Sequence, residues 1–233
     1  MKALAFDVFG TVVDWYGSIV REGETLGESK GITDVDWGRF ASAWRAAYLP
    51  SMDLVRTGEL PWTNLDDLHR MTLDRLLDEF GVTGLSEAEK DHFNRAWHRL
   101  DPWPDVVSGL ARLRERFTIT TLSNGNVELL TDLARNAGIQ WHHILSAEQF
   151  KHYKPDTELY TGAADLLDLP PGQVMLVAAH KVDLRVAHGL GMRTAFVHRP
   201  WEFGPGHSVD ASPESWIDLH ADDFLDLAGR LGA

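Results

Sequence analysis

The sequence predicts an α/β protein, a doubly wound parallel sheet interrupted by an inserted helical cap. Three observations carry that expectation: short apolar runs recur along the chain, helical patterns lie between them, and one long early stretch keeps helical periodicity with no strand of its own.

The runs are Ala3–Val8, Phe117–Leu122, Val174–Ala178 and Thr194–Val197, each followed by polar or glycine-containing sequence, as buried parallel strands are. His143–Leu145 adds a short strand to the expectation. Helical patterns at Val106–Arg116, Val127–Ala137, Thr157–Leu167 and Asp183–Leu190 supply the crossovers. Between Trp15 and Trp103 the periodic segments are Phe40–Tyr48, Leu65–Phe80 and Glu87–Leu100. Pro102 and Pro104 flank Trp103 where the chain returns, as prolines do at linkers and helix starts. The resulting division is a core of residues 1–14 plus 104–233 and a cap of residues 15–103. Six of the nine tryptophans (Trp15, Trp37, Trp44, Trp62, Trp97 and Trp103) fall in or beside the cap, where packing its helices is the main expectation and lining a small pocket the secondary one.

At 233 residues and 44% apolar content the chain can bury a sizeable core. The absence of cysteine excludes a disulfide scaffold, a thiolate nucleophile and a thiolate metal site, which makes a cytoplasmic location the expectation. Asp7 comes too early for a signal peptide, and no run approaches the roughly 18 apolar residues of a membrane span. A formal net charge of −13 opposes nucleic acid and anionic lipid at long range, so the expected partners are small molecules, with no nucleic acid and no membrane. The stretch Trp201–Pro205 fits a self-association surface, and hence a homodimer, as well as it fits a plain surface loop.

Ligands of open α/β sheets bind beyond the carboxyl ends of the strands, and the chemistry-bearing residues lie there. Asp7 ends the first run, with Gly10 allowing a tight turn after it. Ser123 and Asn124 follow the second, Lys154 and Pro155 precede a helix, and Asp183 follows the third. A strand-end carboxylate is well placed to act as a nucleophile, and four loops would converge on one crevice.

Through Asp7–Asp14, Ser123–Gly125, Tyr153–Asp156 with Tyr160, and Asp183, the chain resembles the haloacid dehalogenase superfamily, and within it the 2-haloacid dehalogenases. The resemblance spans nearly the whole chain, and the order and approximate spacing of four motifs are far more specific than any one of them. It implies a Rossmann-like core and a helical cap, inserted after the first strand, that closes over the site. Phosphatases of the superfamily carry an aspartate as general acid two residues after the nucleophile and use magnesium. Here that position is Phe9, and a lysine beside the site also opposes a divalent cation, so neither metal nor cofactor is expected.

What the resemblance implies is hydrolytic dehalogenation of a short halogenated carboxylic acid. Asp7 would attack C2 opposite the halogen, and water would then release a 2-hydroxy acid from the ester, with inversion. The resemblance assigns Arg45 and Asn124 to the halide or substrate carboxylate, and Thr11 and Ser123 to carboxylate oxygens. Lys154 would keep Asp7 ionised, Asp183 would position Lys154 or activate water, and backbone N–H groups near Phe9 would add oxyanion donors. Many relatives place serines and an asparagine before the last aspartate, whereas this chain has Ala178, Ala179 and His180. His180, titrating near neutrality, is therefore expected to serve as donor or base in ester hydrolysis, or else to cap the turn. The alanine-alanine-histidine pattern is similar to that of members acting on small haloacids, including fluoroacetate. Competing readings are a hydrolase opening a strained ring amino acid such as an azetidine carboxylate, a metal-dependent phosphatase, and a non-catalytic sensor of organic acids.

Overall fold

The computed structural model describes residues 1–233. Its first apolar run forms β1 (Ala3–Phe6), every residue of which is buried. Two turns later β2 (Val13–Asp14) opens the insertion, which contains α1 (Trp15–Lys30), α2 (Trp37–Ala46), α3 (Tyr48–Arg56), α4 (Leu65–Glu79), α5 (Glu87–Asn94) and a 3-10 turn at Arg95–His98. β3 (Asp101–Pro102) pairs antiparallel with β2, Val13 opposite Pro102 and Asp14 opposite Asp101. The prolines around Trp103 thus belong in part to a strand and not to a free linker, because a two-residue edge strand tolerates the missing N–H.

Then follow α6 (Val106–Arg114), β4 (Thr118–Thr121), α7 (Val127–Ala137), α8 (Ala147–Phe150), α9 (Thr157–Leu166), β5 (Val174–Ala178), α10 (Lys181–Gly189), β6 (Arg193–Val197), β7 (Leu219–Ala221) and α11 (Phe224–Arg230). The five-stranded sheet has the order β4-β1-β5-β6-β7 and is parallel throughout. From β1 the chain moves to one side to make β4 and returns to the other side to make β5. The order therefore reverses at β1, the place where such sheets open a crevice. His143–Leu145 forms no strand: His143 makes one isolated bridge, to Thr120, and the hydroxyls of Thr120 and Thr121 donate to the His143 and Leu145 carbonyls.

Local chemistry explains the helix limits. Asp14, Asp36 and Asn64 accept from backbone N–H groups in the first turns of α1, α2 and α4, and Ser86 with Glu89 forms a capping box on α5. Gly31 and Gly138, at φ 67° and 69°, end α1 and α7 in the left-handed conformation that glycine adopts without strain.

One continuous cluster of 58 buried apolar residues runs from the sheet into the insertion. There Trp37, Phe40, Trp44, Phe93 and Trp97 pack mostly edge-on, and the Trp44 indole donates to the His69 carbonyl at 3.2 Å, tying α2 to α4. The expectation that cap tryptophans pack helices holds for these. No helix is long and apolar enough to cross a membrane.

Candidate active site

Asp7 follows β1 directly and is almost buried, facing a cavity of about 380 Å³ whose walls come from the loops and helices that follow the sheet strands and from the insertion. Its Oδ2 accepts the Thr11 hydroxyl at 2.7 Å and lies 3.1 Å from His180 Nδ1, and its Oδ1 accepts Lys154 Nζ at 3.1 Å. The turn at Gly10 (φ 82°) brings Thr11 back under the carboxylate, where its oxygen also accepts the Ala179 N–H at 2.9 Å. Burial alone would raise the Asp7 carboxyl. The Lys154 charge, His180 and Thr11 reverse this and hold it well below the ordinary carboxylate range.

Lys154 precedes α9 and lies between two carboxylates, donating to Asp7 and to Asp183 in the first turn of α10. Burial opposes its charge, yet Asp183 and Asp7 push it up to about 12. Asp183 also accepts the Tyr160 hydroxyl of α9, and burial raises its carboxyl against the pull of Lys154. Asn124 accepts the Lys154 backbone N–H on Oδ1 at 2.8 Å, which fixes the orientation of its amide at the cavity wall.

From the insertion come Arg45, Tyr48, Asp53 and Arg56. The Arg45 guanidinium lies 4.5 Å from the centre of the Tyr48 ring and 5.8 Å from that of Trp15, and its buried Nε has no partner. Arg56 donates to Asp53 at 2.6 Å and to Asp156 ahead of α9 at 2.9 Å, closing the insertion onto the core at the cavity rim. Phe9 lines the cavity and packs edge-on against Tyr48 and Trp97 at 6.2 and 5.8 Å. No tryptophan lines this cavity, so the apolar wall is Phe9 and Tyr48 with Leu49, Pro155 and Val182.

Three expectations need adjustment. Ser123 is wholly buried, and its hydroxyl accepts the Gly125 N–H at 3.2 Å, so it organises its own loop and is not hydrogen-bonded to Asp7. The near-neutral titration expected of His180 is displaced upwards: burial opposes its charge, but Glu202 and Asp7 flank both ring nitrogens and push it up to about 10, which favours the imidazolium. Trp201–Pro205 is not a uniform surface loop either, for Trp201 is exposed while Glu202 is fully buried, its Oε1 2.8 Å from His180 Nε2.

Glu202, packed behind the candidate site against His180, is the residue that reading the sequence missed. Its one signal was position, since it follows β6 as Asp183 follows β5. Arg199 anchors the loop by donating to the Thr11 carbonyl at 2.8 Å and pairing in two-pronged fashion with Asp105 at 2.8 and 2.9 Å.

The donor set does not fit a divalent cation. Phe9 stands where a second carboxylate would be needed, the Lys154 ammonium lies between Asp7 and Asp183, and no cluster of three or more His, Asp or Glu residues is arranged to hold a metal. What the arrangement can do is present an ionised, desolvated carboxylate to a small molecule, with the Arg45 guanidinium and the Asn124 amide among the groups lining the same cavity.

Comparison with known proteins agrees with this geometry. The model of the haloacid dehalogenase-like hydrolase family matches residues 1–191. An (S)-2-haloacid dehalogenase 1 from Pseudomonas sp. (strain CBS-3) is 29% identical over 202 residues, covering 85% of each chain. The solved structure of the L-2-haloacid dehalogenase PA0810 is 46% identical, covers 100% of this chain and 99% of its own, and superposes with a TM-score of 0.95. That of the defluorinating L-2-haloacid dehalogenase Rha0230 is 44% identical, covers 100% and 96%, and has a TM-score of 0.96.

Proposed function

This chain belongs to the haloacid dehalogenase-like hydrolase family, and on that footing we propose that it hydrolyses short 2-haloacids to 2-hydroxy acids through an ester on Asp7. The observation that carries the reading is the carboxylate of Asp7, buried at the end of β1 and kept ionised by Lys154 3.1 Å away, with Phe9 in place of a second aspartate. Displacement at a saturated carbon needs no proton donor for a halide, so the lost acid is no handicap.

In this reading Asp7 attacks C2 from the side opposite the halogen. Arg45 and Asn124, which line the same cavity, hold the substrate carboxylate or the departing halide, where charge gathers in the transition state. Phe9 and Tyr48 keep water away during displacement. Asp183 and Tyr160 hold Lys154 in line with Asp7. Residues 15–103 act as the lid that supplies Arg45, and residues 1–14 with 104–233 supply the reacting carboxylate. Water then attacks the Asp7 carbonyl, giving the 2-hydroxy acid inverted at C2.

The cavity of about 380 Å³ suits haloacetates and 2-halopropionates. A relative at 44% identity is named for defluorination, which supports including fluoroacetate. The test is halide release from fluoro-, chloro- and bromoacetate and from both enantiomers of 2-chloropropionate, with chelator present. Release is expected with the chelator. No release from any of them, or hydrolysis of a generic phosphate ester stimulated by magnesium, would overturn the proposal.

A further inference from the structure

Glu202 is a carboxylate buried completely beneath the site, and its only partners are His180 Nε2 at 2.8 Å and a long contact to the Trp15 indole at 3.4 Å. Its Oε2 has no partner at all. Such a group costs several kcal/mol to bury and persists where structure over-determines it or function needs it. The surroundings are built to receive it. Gly10 adopts φ 82°, and a Cβ there would collide with the Glu202 carboxylate. Arg199 and the edge-on Trp15–Phe203 contact (5.9 Å) clamp the loop on either side.

The imidazole lies between this carboxylate and Asp7, with Nε2 towards Glu202 and Nδ1 towards Asp7 Oδ2 at 3.1 Å. His180 lines the cavity and its side chain is 27% exposed, whereas that of Glu202 is wholly buried behind it. Before reaction the side chains of Asp7 and Glu202 flank both ring nitrogens, which favours the doubly protonated ring. Ester formation turns Asp7 into a neutral group, which removes one of the two charges that stabilise the imidazolium. Glu202 remains and favours the proton on Nε2, so the proton released to solvent is the one on Nδ1.

We propose that Glu202 is the positioning residue that fixes the tautomer of His180, making Nδ1 the general base that activates water against the Asp7 ester. The inference rests on the proposed dehalogenase reading and deepens its second step. Water gives a proton to Nδ1 as its oxygen bonds to Asp7 Cγ, and the resulting oxyanion collapses with cleavage of the bond from Cγ to the product oxygen. The departing alkoxide takes the proton from Nδ1. Asp7, now a carboxylic acid, returns a proton to Nδ1, restoring carboxylate and imidazolium. The balance is haloacid plus water giving hydroxy acid, halide and one proton, the proton being that lost after ester formation.

The experiment is rapid-quench reaction with chloroacetate, reading chloride and the intact-protein mass together, on the parent, Glu202→Gln and His180→Gln, followed by steady-state kinetics. Both variants are expected to accumulate the ester, which decays about 10²-fold more slowly than in the parent. kcat falls with it, whereas kcat/KM, which reports steps up to ester formation, stays within about threefold, so KM falls too. A purely structural role for Glu202 would lower kcat and kcat/KM together. That outcome, or ester decay at the parental rate in both variants, overturns the proposal. If Glu202→Gln does not fold, Glu202→Asp, which keeps the charge but draws it back, decides in its place by the same two readouts. Failure of the underlying reading shows separately, as a parent enzyme that never gains the mass of an ester.

Discussion

Replacing Lys154 by methionine removes the ammonium that lies between Asp7 and Asp183. The side chains of the three are 10%, 11% and 8% exposed, so solvent compensates little. Removing one member of such a buried pair costs about 3–5 kcal/mol, and because His180 and Thr11 still attend Asp7, the orphaned charge is mainly Asp183. In a chain of this length each kcal/mol moves Tm by about 2–4 °C, which gives a fall of about 6–20 °C near neutral pH. The effect has a definite pH dependence. In the parent, burial would raise Asp7 but Lys154 and its companions depress it, a stabilisation present above the unfolded carboxylate range and lost as pH falls towards the folded value. In the variant Asp183, raised already by burial and by Asp7, rises further. A raised carboxyl binds its proton more readily when folded, so the penalty is full above that value and is relieved on acidification. Calorimetry of both proteins should therefore show a gap in Tm that narrows from about pH 7 to about pH 4. Equal Tm values near neutrality, or a gap that widens in acid, would refute the reasoning.

His180, pushed up to about 10, should remain an imidazolium at pH 8 in nitrogen NMR of the ring. Its stabilising contribution should be complete below about 6.5 and disappear as pH rises through about 10, read as the difference in Tm between parent and His180→Gln across that window. Thr11→Val leaves the Ala179 N–H without its acceptor and removes one of the three donors to Asp7, which predicts a loss of about 1–3 kcal/mol in urea titration. Gly10→Ala combines a left-handed φ with a collision against Glu202 and should lower stability by at least about 1–2 kcal/mol in the same assay. Phe9→Asp restores the missing carboxylate yet should yield no magnesium-stimulated phosphatase activity, since the Lys154 ammonium still lies between Asp7 and Asp183.

What was legible in the sequence was whatever has a local period or a strand-end position. The sheet strands β1, β4, β5 and β6, the crossover helices and the convergence of Asp7, Asn124, Lys154 and Asp183 follow from apolar runs and the loops after them. The pair β2–β3 escaped notice because two residues carry no periodicity, and β7 because Leu219–Ala221 is only three residues long. Ser123 looked like a ligand-facing hydroxyl, but the turn into Gly125 claims it. Glu202 and the charge of His180 were hidden for a different reason, in that each is defined by the other across chain segments. Spacing along the chain cannot report that an exposed Trp201 precedes a carboxylate sealed against Gly10.

Covalent participation of Asp7 is tested most directly by one turnover in water enriched in heavy oxygen, with enzyme in excess over haloacid and mass analysis of both product and the peptide bearing Asp7. The account predicts that the heavy atom enters the Asp7 carboxylate and is absent from the first-turnover hydroxy acid. Heavy oxygen in the product, with an unlabelled Asp7, would contradict it.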